Sequence, residues 1–243
     1  LNNALMISRY ESSVCFISFR ALILFLFSFL TCEGTGKLQN SEQWEEAIVA
    51  FESQDRKSPP SSGGVLFIGS SSIRKWDSLS EDFPNKNVIN RGFGGSKIPD
   101  SIHFFERIVQ PYKPSVIVLY AGDNDIGGGH TAQQVFDNFK VFSNLVAKRL
   151  PEAKLVFIAI KPSVKRWGLA LEMHEANREI EKYSKRQSHI SYANIWNPML
   201  SDEGKPRPEL FIADGLHLNA EGYKIWARVV NEKLRIANIS KNR

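Results

Sequence analysis

Five short apolar runs, separated by stretches of helical periodicity, constrain the fold of this chain more than any other feature. They are Val65 to Ile68, Asn87 to Asn90, Ser115 to Tyr120, Lys154 to Ile160 and Ile190 to Ala193. Unbroken runs rich in Val and Ile are those of strands covered on both faces. Helical patterns lie between them at about 98–109, 132–149 and 168–187, and a last one covers about 220–237. Strands alternating with helices predict a parallel sheet with helices on both sides. The chain has 243 residues, 42% of them hydrophobic, enough for one such domain with a complete core. That composition excludes disordered, collagen-like and coiled-coil classes.

The first thirty-odd residues differ in kind. Residues 21–30 read ALILFLFSFL, preceded by Arg20 and followed by TCEGTG. A basic residue, a short apolar run and then small or polar residues match a secretory signal. The run is short for a membrane span. Residues 1–32 are read as a signal peptide or an N-terminal membrane anchor, with Cys32 resembling a lipoprotein attachment site. The protein is thus expected to be exported, periplasmic or secreted, either free or anchored. Residues 33–63 read as a linker and a helix that Ser41 caps and that runs to about Gln54, with Trp44, Ala47, Ile48 and Phe51 on one face. SPPSSGG then breaks the chain, and residues 64–243 form the main domain.

The net charge is +5. No Lys/Arg-rich block with interleaved aromatics accompanies it, which argues against nucleic acid as a partner. The two cysteines, Cys15 and Cys32, both precede the domain, so disulfides, thiolate catalysis and a cysteine metal site are excluded from it.

In sheets of this kind the ligand sits beyond the carboxyl ends of the strands. The residues there are GSSS after the first, RGFGGS after the second, AGDNDIGGG after the third, KPSVKRW after the fourth and, farther along, DGLH at 214–217. Asp214 and His217 stand three residues apart, close enough for the carboxylate to orient the imidazole and leave its second nitrogen as a base. Three roles are open to Ser70, Ser71 and Ser72: starting a helix, holding a phosphate, or nucleophilic chemistry. A serine hydroxyl needs a base to become a nucleophile, and His217 could reach Ser71 from the same edge. The stretch is not the G-x-S-x-G elbow, because Ile73 stands where its second glycine would be. Gly95 and Asn124 are candidate donors to a developing oxyanion. Each block alone suits a turn; all of them on one edge, in this order, suit acyl transfer.

These residues resemble the SGNH hydrolases, also called GDSL esterases and lipases. The resemblance rests on Gly69-Ser70-Ser71, Asn90 to Gly95, Gly122-Asp123-Asn124-Asp125 and Asp214 to His217, and spans about residues 64–235. It implies a flavodoxin-like three-layer α/β/α sandwich with a five-stranded parallel sheet. It also implies a serine esterase: Ser71 attacks, His217 moves the proton, Asp214 orients the imidazole, and the Ser71 N–H, the Gly95 N–H and the Asn124 amide hold the oxyanion. No metal or cofactor is implied. One departure is that Ser70 replaces the Asp usual before the nucleophile.

Short loops, with no apolar insertion to cover a long acyl chain, favour short-chain or acetyl esters, on a small molecule or a carbohydrate, over lysophospholipids or lipids. A flavin or phosphate carrier is the competing class, since a serine-rich loop opening a helix can cradle phosphate. Arg91, Lys161 and Trp167 are candidate substrate contacts. His130 reads as a loop residue, His103, His174 and His189 as surface, and Tyr223 and Trp226 as core.

Overall fold

The computed structural model of the chain describes residues 41–239. The expected leader, 1–32, and linker residues 33–40 lie outside the described residues. The strands are β1 (Val65–Gly69), β2 (Val88–Gly92), β3 (Val116–Tyr120), β4 (Lys154–Ile158) and β5 (Ile190–Ala193). All pair in parallel, in the order β2-β1-β3-β4-β5. The helices are α1 (Glu45–Lys57), α2 (Ser71–Arg74), α3 (Leu79–Asp82), α4 (Ile98–His103), α5 (Phe105–Ile108), α6 (Asp123–Gly127), α7 (Ala132–Arg149), α8 (Ala170–Ser184) and α9 (Ala220–Ile239). The three-layer α/β/α sandwich expected from the sequence is the fold observed.

Strand periodicity sorts the core into two layers. Leu66, Ile68, Ile117, Leu119, Leu155 and Phe157 face one way, onto Ile48 of α1, Phe105 of α5, Phe139 and Phe142 of α7, and Ile180 of α8. The alternate residues Val65, Phe67, Val116, Val118, Val156 and Ile158 face Ile73, Leu79 and the α9 residues Tyr223, Trp226 and Val230. Trp76 centres this second layer, with ring centroids 5.1 Å from Tyr223, 5.5 Å from Phe83, 5.7 Å from Phe67 and 5.8 Å from Trp226.

Three local expectations are corrected. Ser41 does not cap α1: it opens a 3-10 turn, Ser41–Trp44, and its hydroxyl donates to Asp100 Oδ1 at 2.7 Å. The helical pattern at 98–109 breaks at Phe104, whose ring is buried between the two short helices. Strand β4 stops at Ile158 because no neighbouring strand reaches beyond it. The backbone of Ile160 is instead paired by one side chain, Asn177 of α8, which accepts its N–H and donates to its carbonyl, both at 2.8 Å.

Phe139 is fully buried, 4.9 Å from the ring of Phe157, so Phe139→Ala should cost about 3–5 kcal/mol of unfolding free energy. Urea titration checks this; a loss under about 1 kcal/mol would contradict the packing described.

Candidate active site

β1 ends on a close backbone approach. Gly69 has φ +128°, and a Cβ there would lie 1.9 Å from the Tyr120 carbonyl oxygen, so only glycine fits. Ser70 follows in an extended conformation and its carbonyl accepts from the N–H groups of Ile73 and Arg74 at 3.0 and 3.1 Å, opening α2. The three serines then part company. Ser70 is buried and its hydroxyl has no partner among the described residues. Ser72 points inward, its hydroxyl 3.3 Å from Lys161 Nζ. Ser71 alone, half-buried in the first turn of α2, meets the imidazole: its Oγ lies 2.9 Å from His217 Nε2.

His217 and Asp214 sit on a tight loop before α9. An isolated antiparallel bridge between Phe211 and Leu218 closes it. Within it the Ile212 N–H donates to the His217 carbonyl and the Gly215 N–H to the Ile212 carbonyl, both at 2.9 Å. Asp214 Oδ2 is 2.6 Å from His217 Nδ1, and its Oδ1 accepts the N–H groups of Leu216 and His217 at 2.8 and 2.9 Å. Burial pushes this carboxyl up, but the bonds from the His217 ring and from the two N–H groups outweigh it and hold it well below the usual carboxylate range. An ionised carboxylate only accepts, so Nδ1 carries the ring proton and Nε2 is left to accept from Ser71. The loop is fixed against α2 from below. Asn219 Oδ1 caps α9 by accepting from Glu221 and Gly222 N–H, and the Tyr223 hydroxyl donates to the Ser72 carbonyl at 2.9 Å.

Two further loops leave the neighbouring strand ends. Gly92 packs so tightly on α2 that a Cβ would lie 2.3 Å from Arg74 N, and the chain then turns through Gly95 at φ +78°. The Gly95 N–H makes no backbone hydrogen bond among the described residues. Asn124, in the first turn of α6, donates from Nδ2 to the Ser96 carbonyl at 3.0 Å, joining α6 to the glycine loop. Ser71, His217 and Asp214 are thus linked side chain to side chain, and Asn124 is joined to the glycine loop at Ser96.

The expected substrate contacts fare differently. Lys161 is buried, its Nζ bonded to Asp123 Oδ2 at 2.7 Å, the Tyr120 hydroxyl at 2.9 Å and Ser72 Oγ. Arg91 is buried too and committed to the Tyr112 hydroxyl at 2.6 Å and to the Asp55 carboxylate, where it fastens α1 to the sheet. Both side chains are turned inward and committed to protein partners. Trp167 stays half-buried, its ring 6.2 Å from that of Trp196. His130 packs 3.9 Å from Asp125 Oδ1. His189 Nε2 lies 3.4 Å from Ser143 Oγ. Tyr223, read from sequence as core only, also ties α9 to α2. Asp123 is visible in the sequence only as part of AGDNDIGGG, and Arg166 only as a loop cation of KPSVKRW near the same edge; that the two meet, at 3.2 Å, appears only in three dimensions.

A family model for the GDSL-like lipase/acylhydrolase family matches residues 67–225, and the chain belongs to that family. The chain is 26% identical over 149 residues to human platelet-activating factor acetylhydrolase IB subunit alpha1, covering 60% of this chain and 61% of that protein. It therefore spans less than two thirds of that relative. Among solved structures it is similar to a GDSL-like lipase from Bacteroides thetaiotaomicron, with a TM-score of 0.63, 23% identity, and coverage of 82% of this chain and 98% of that one. A carbohydrate esterase family 3 protein from Talaromyces cellulolyticus gives a TM-score of 0.60 at 19% identity, covering 72% and 98%.

Asp125, beside Asn124, is fully buried; Oδ1 accepts from the Ile98 N–H at 3.1 Å and Oδ2 has no partner among the described residues. Burial pushes its carboxyl from the ordinary 3.8 up to about 7. Between those values the folded chain keeps a proton that the unfolded chain has lost. Its contribution to stability is therefore complete below the ordinary value and is lost as pH rises to about 7. Asp125→Asn keeps the acceptor and removes the titration. Relative to wild type it should gain stability between pH 4 and 8, by up to about 4 kcal/mol. Denaturant titrations at the two pH values measure the gap; a gap that does not change with pH would contradict this. Ser70→Ala, deleting an unpaired hydroxyl, should change stability by less than about 1 kcal/mol.

Proposed function

We propose that this member of the family is a carboxylic ester hydrolase that cleaves short-chain, above all acetyl, esters of small molecules or carbohydrates through Ser71, His217 and Asp214. The observation that carries the proposal is the pair of contacts Ser71 Oγ–His217 Nε2 at 2.9 Å and His217 Nδ1–Asp214 Oδ2 at 2.6 Å.

In the first half-reaction Ser71 Oγ attacks the ester carbonyl carbon as His217 Nε2 takes its proton. The carbonyl oxygen becomes an oxyanion, received by the Ser71 N–H, the Gly95 N–H and the free N–H of the Asn124 amide. The intermediate collapses, the C–O bond to the alcohol breaks, and the imidazolium returns the proton to the departing oxygen. Asp214 stabilises the imidazolium without taking its proton. Water then repeats the sequence on the acyl-enzyme, releasing the acid and restoring Ser71. Every proton is handled by His217, so none of these steps calls for a cofactor.

The preference for short acyl groups is supported by the short loops around Ser71 and by the esterases among the structural relatives, which include a carbohydrate esterase and an acetyl esterase. We also retain the reading of residues 1–32 as an export signal or anchor, on the strength of Arg20 and the apolar run after it.

A fluorophosphonate probe should label Ser71, as mapped on the tryptic peptides, and His217→Ala should abolish labelling. Asp214→Asn should lower kcat by about 10⁴, and Asn124→Ala by about 10² to 10³. p-Nitrophenyl esters of rising chain length should be cleaved fastest as the acetate; equal rates across lengths would refute the short-chain preference.

A further inference from the structure

Asn124 is useful to an oxyanion only if its amide faces the right way, and an amide rotated by half a turn presents an acceptor instead of a donor. Two groups fix it here. The Ser96 carbonyl can only accept, and it takes one Nδ2–H at 3.0 Å. A guanidinium can only donate, and Arg166 Nη2 donates to Asn124 Oδ1 at 2.9 Å. The two constraints agree, and they leave the second Nδ2–H uncommitted. We propose that Arg166 is a positioning residue for the reaction: it locks and polarises the Asn124 amide so that its free N–H is presented to the oxyanion. This rests on the reading of Asn124 as an oxyanion donor.

The guanidinium is itself built in. Its Nη1 lies 3.2 Å from Asp123 Oδ2, the same oxygen that takes Lys161 Nζ at 2.7 Å. Asp123 and Lys161 are both buried, at 5% and 1% side-chain exposure, whereas Arg166 keeps 20%. Room for the fork comes from Gly127, where a Cβ would lie 3.0 Å from the guanidinium carbon. The loop that carries Arg166 also holds the imidazole's loop, because the neighbouring Lys165 N–H donates to the Gly215 carbonyl at 2.9 Å. One segment after β4 thus braces both the amide and the base. The cation also pulls density from the amide carbonyl, which makes the opposite N–H a stronger donor. A lysine offers one ammonium and cannot span Asp123 and Asn124 with a planar fork.

A double-mutant cycle with p-nitrophenyl acetate tests this on the intact chain. Arg166→Ala should lower kcat by about 10- to 100-fold with KM changed by less than about threefold. Arg166→Lys, which keeps the charge beside Asp123, should fold with an unchanged Tm and still lose most of that rate. In the Asn124→Ala background, Arg166→Ala should change kcat by less than about twofold, since Arg166 acts through the amide. A full loss in that background would mean that Arg166 touches substrate directly or only holds the fold, and would overturn the proposal. So would Arg166 variants with wild-type kcat beside a slow Asn124→Ala. If Asn124→Ala itself keeps wild-type kcat, the oxyanion reading fails first and the role of Arg166 falls with it.

Discussion

β1 pairs with β2 on one side and β3 on the other, and the three end level: Gly69 stands opposite both Gly92 and Tyr120. The chain winds one way from β1 to β2 and the other way from β3 outward. Where the direction changes, the loops leaving neighbouring strands diverge and leave a crevice above the sheet. Ser71, the glycine loop and Asn124 stand on those three strand ends. Their meeting is a consequence of strand order, and the tight approaches at Gly69 and Gly92 are what strand ends brought that close require.

Beneath the crevice lies a buried ionic cluster of Lys161, Asp123 and the Tyr120 hydroxyl, with Arg166 at its margin. Burial raises the Asp123 carboxyl, but the adjacent Lys161 and Arg166 cations outweigh it and hold the group ionised. Such a cluster adds little net stability, yet removing one partner typically costs about 3–5 kcal/mol because the other charge stays behind unpaired. Its effect is on geometry. Lys161 reaches Ser72 from the far end of β4, so the loop after β4, the helix of Ser71 and the helix of Asn124 are held by a single ammonium.

The sequence was most legible where one-dimensional pattern and three-dimensional environment coincide. Buried strands such as Val116–Tyr120 must be apolar on both faces, so their runs are visible directly. Gly69, Asn124, Asp214 and His217 each suit an ordinary turn, and only their order along one sheet edge sets them apart. Side-chain destination was less legible. Lys161 follows a strand and reads as a loop cation, yet it turns under the sheet edge because Asp123, 38 residues away in sequence, is there to receive it. Arg91 sits beside the glycine loop in sequence but points the other way, as alternate strand residues do. Ser41 looks like a helix cap until Asp100 is brought alongside it. In each case a partner distant in sequence decided the outcome.

The loop carrying Asp214 and His217 is held by three main-chain bonds, Ile212 to His217, Gly215 to Ile212, and Lys165 to Gly215, together with the two N–H groups that Asp214 Oδ1 accepts. The main-chain bonds are indifferent to side-chain identity. Ile212 and Ala213 are exposed, and the backbone bonds of the loop survive a change of their side chains. The outer face of this loop can therefore vary while the frame that carries Asp214 and His217 stays as it is.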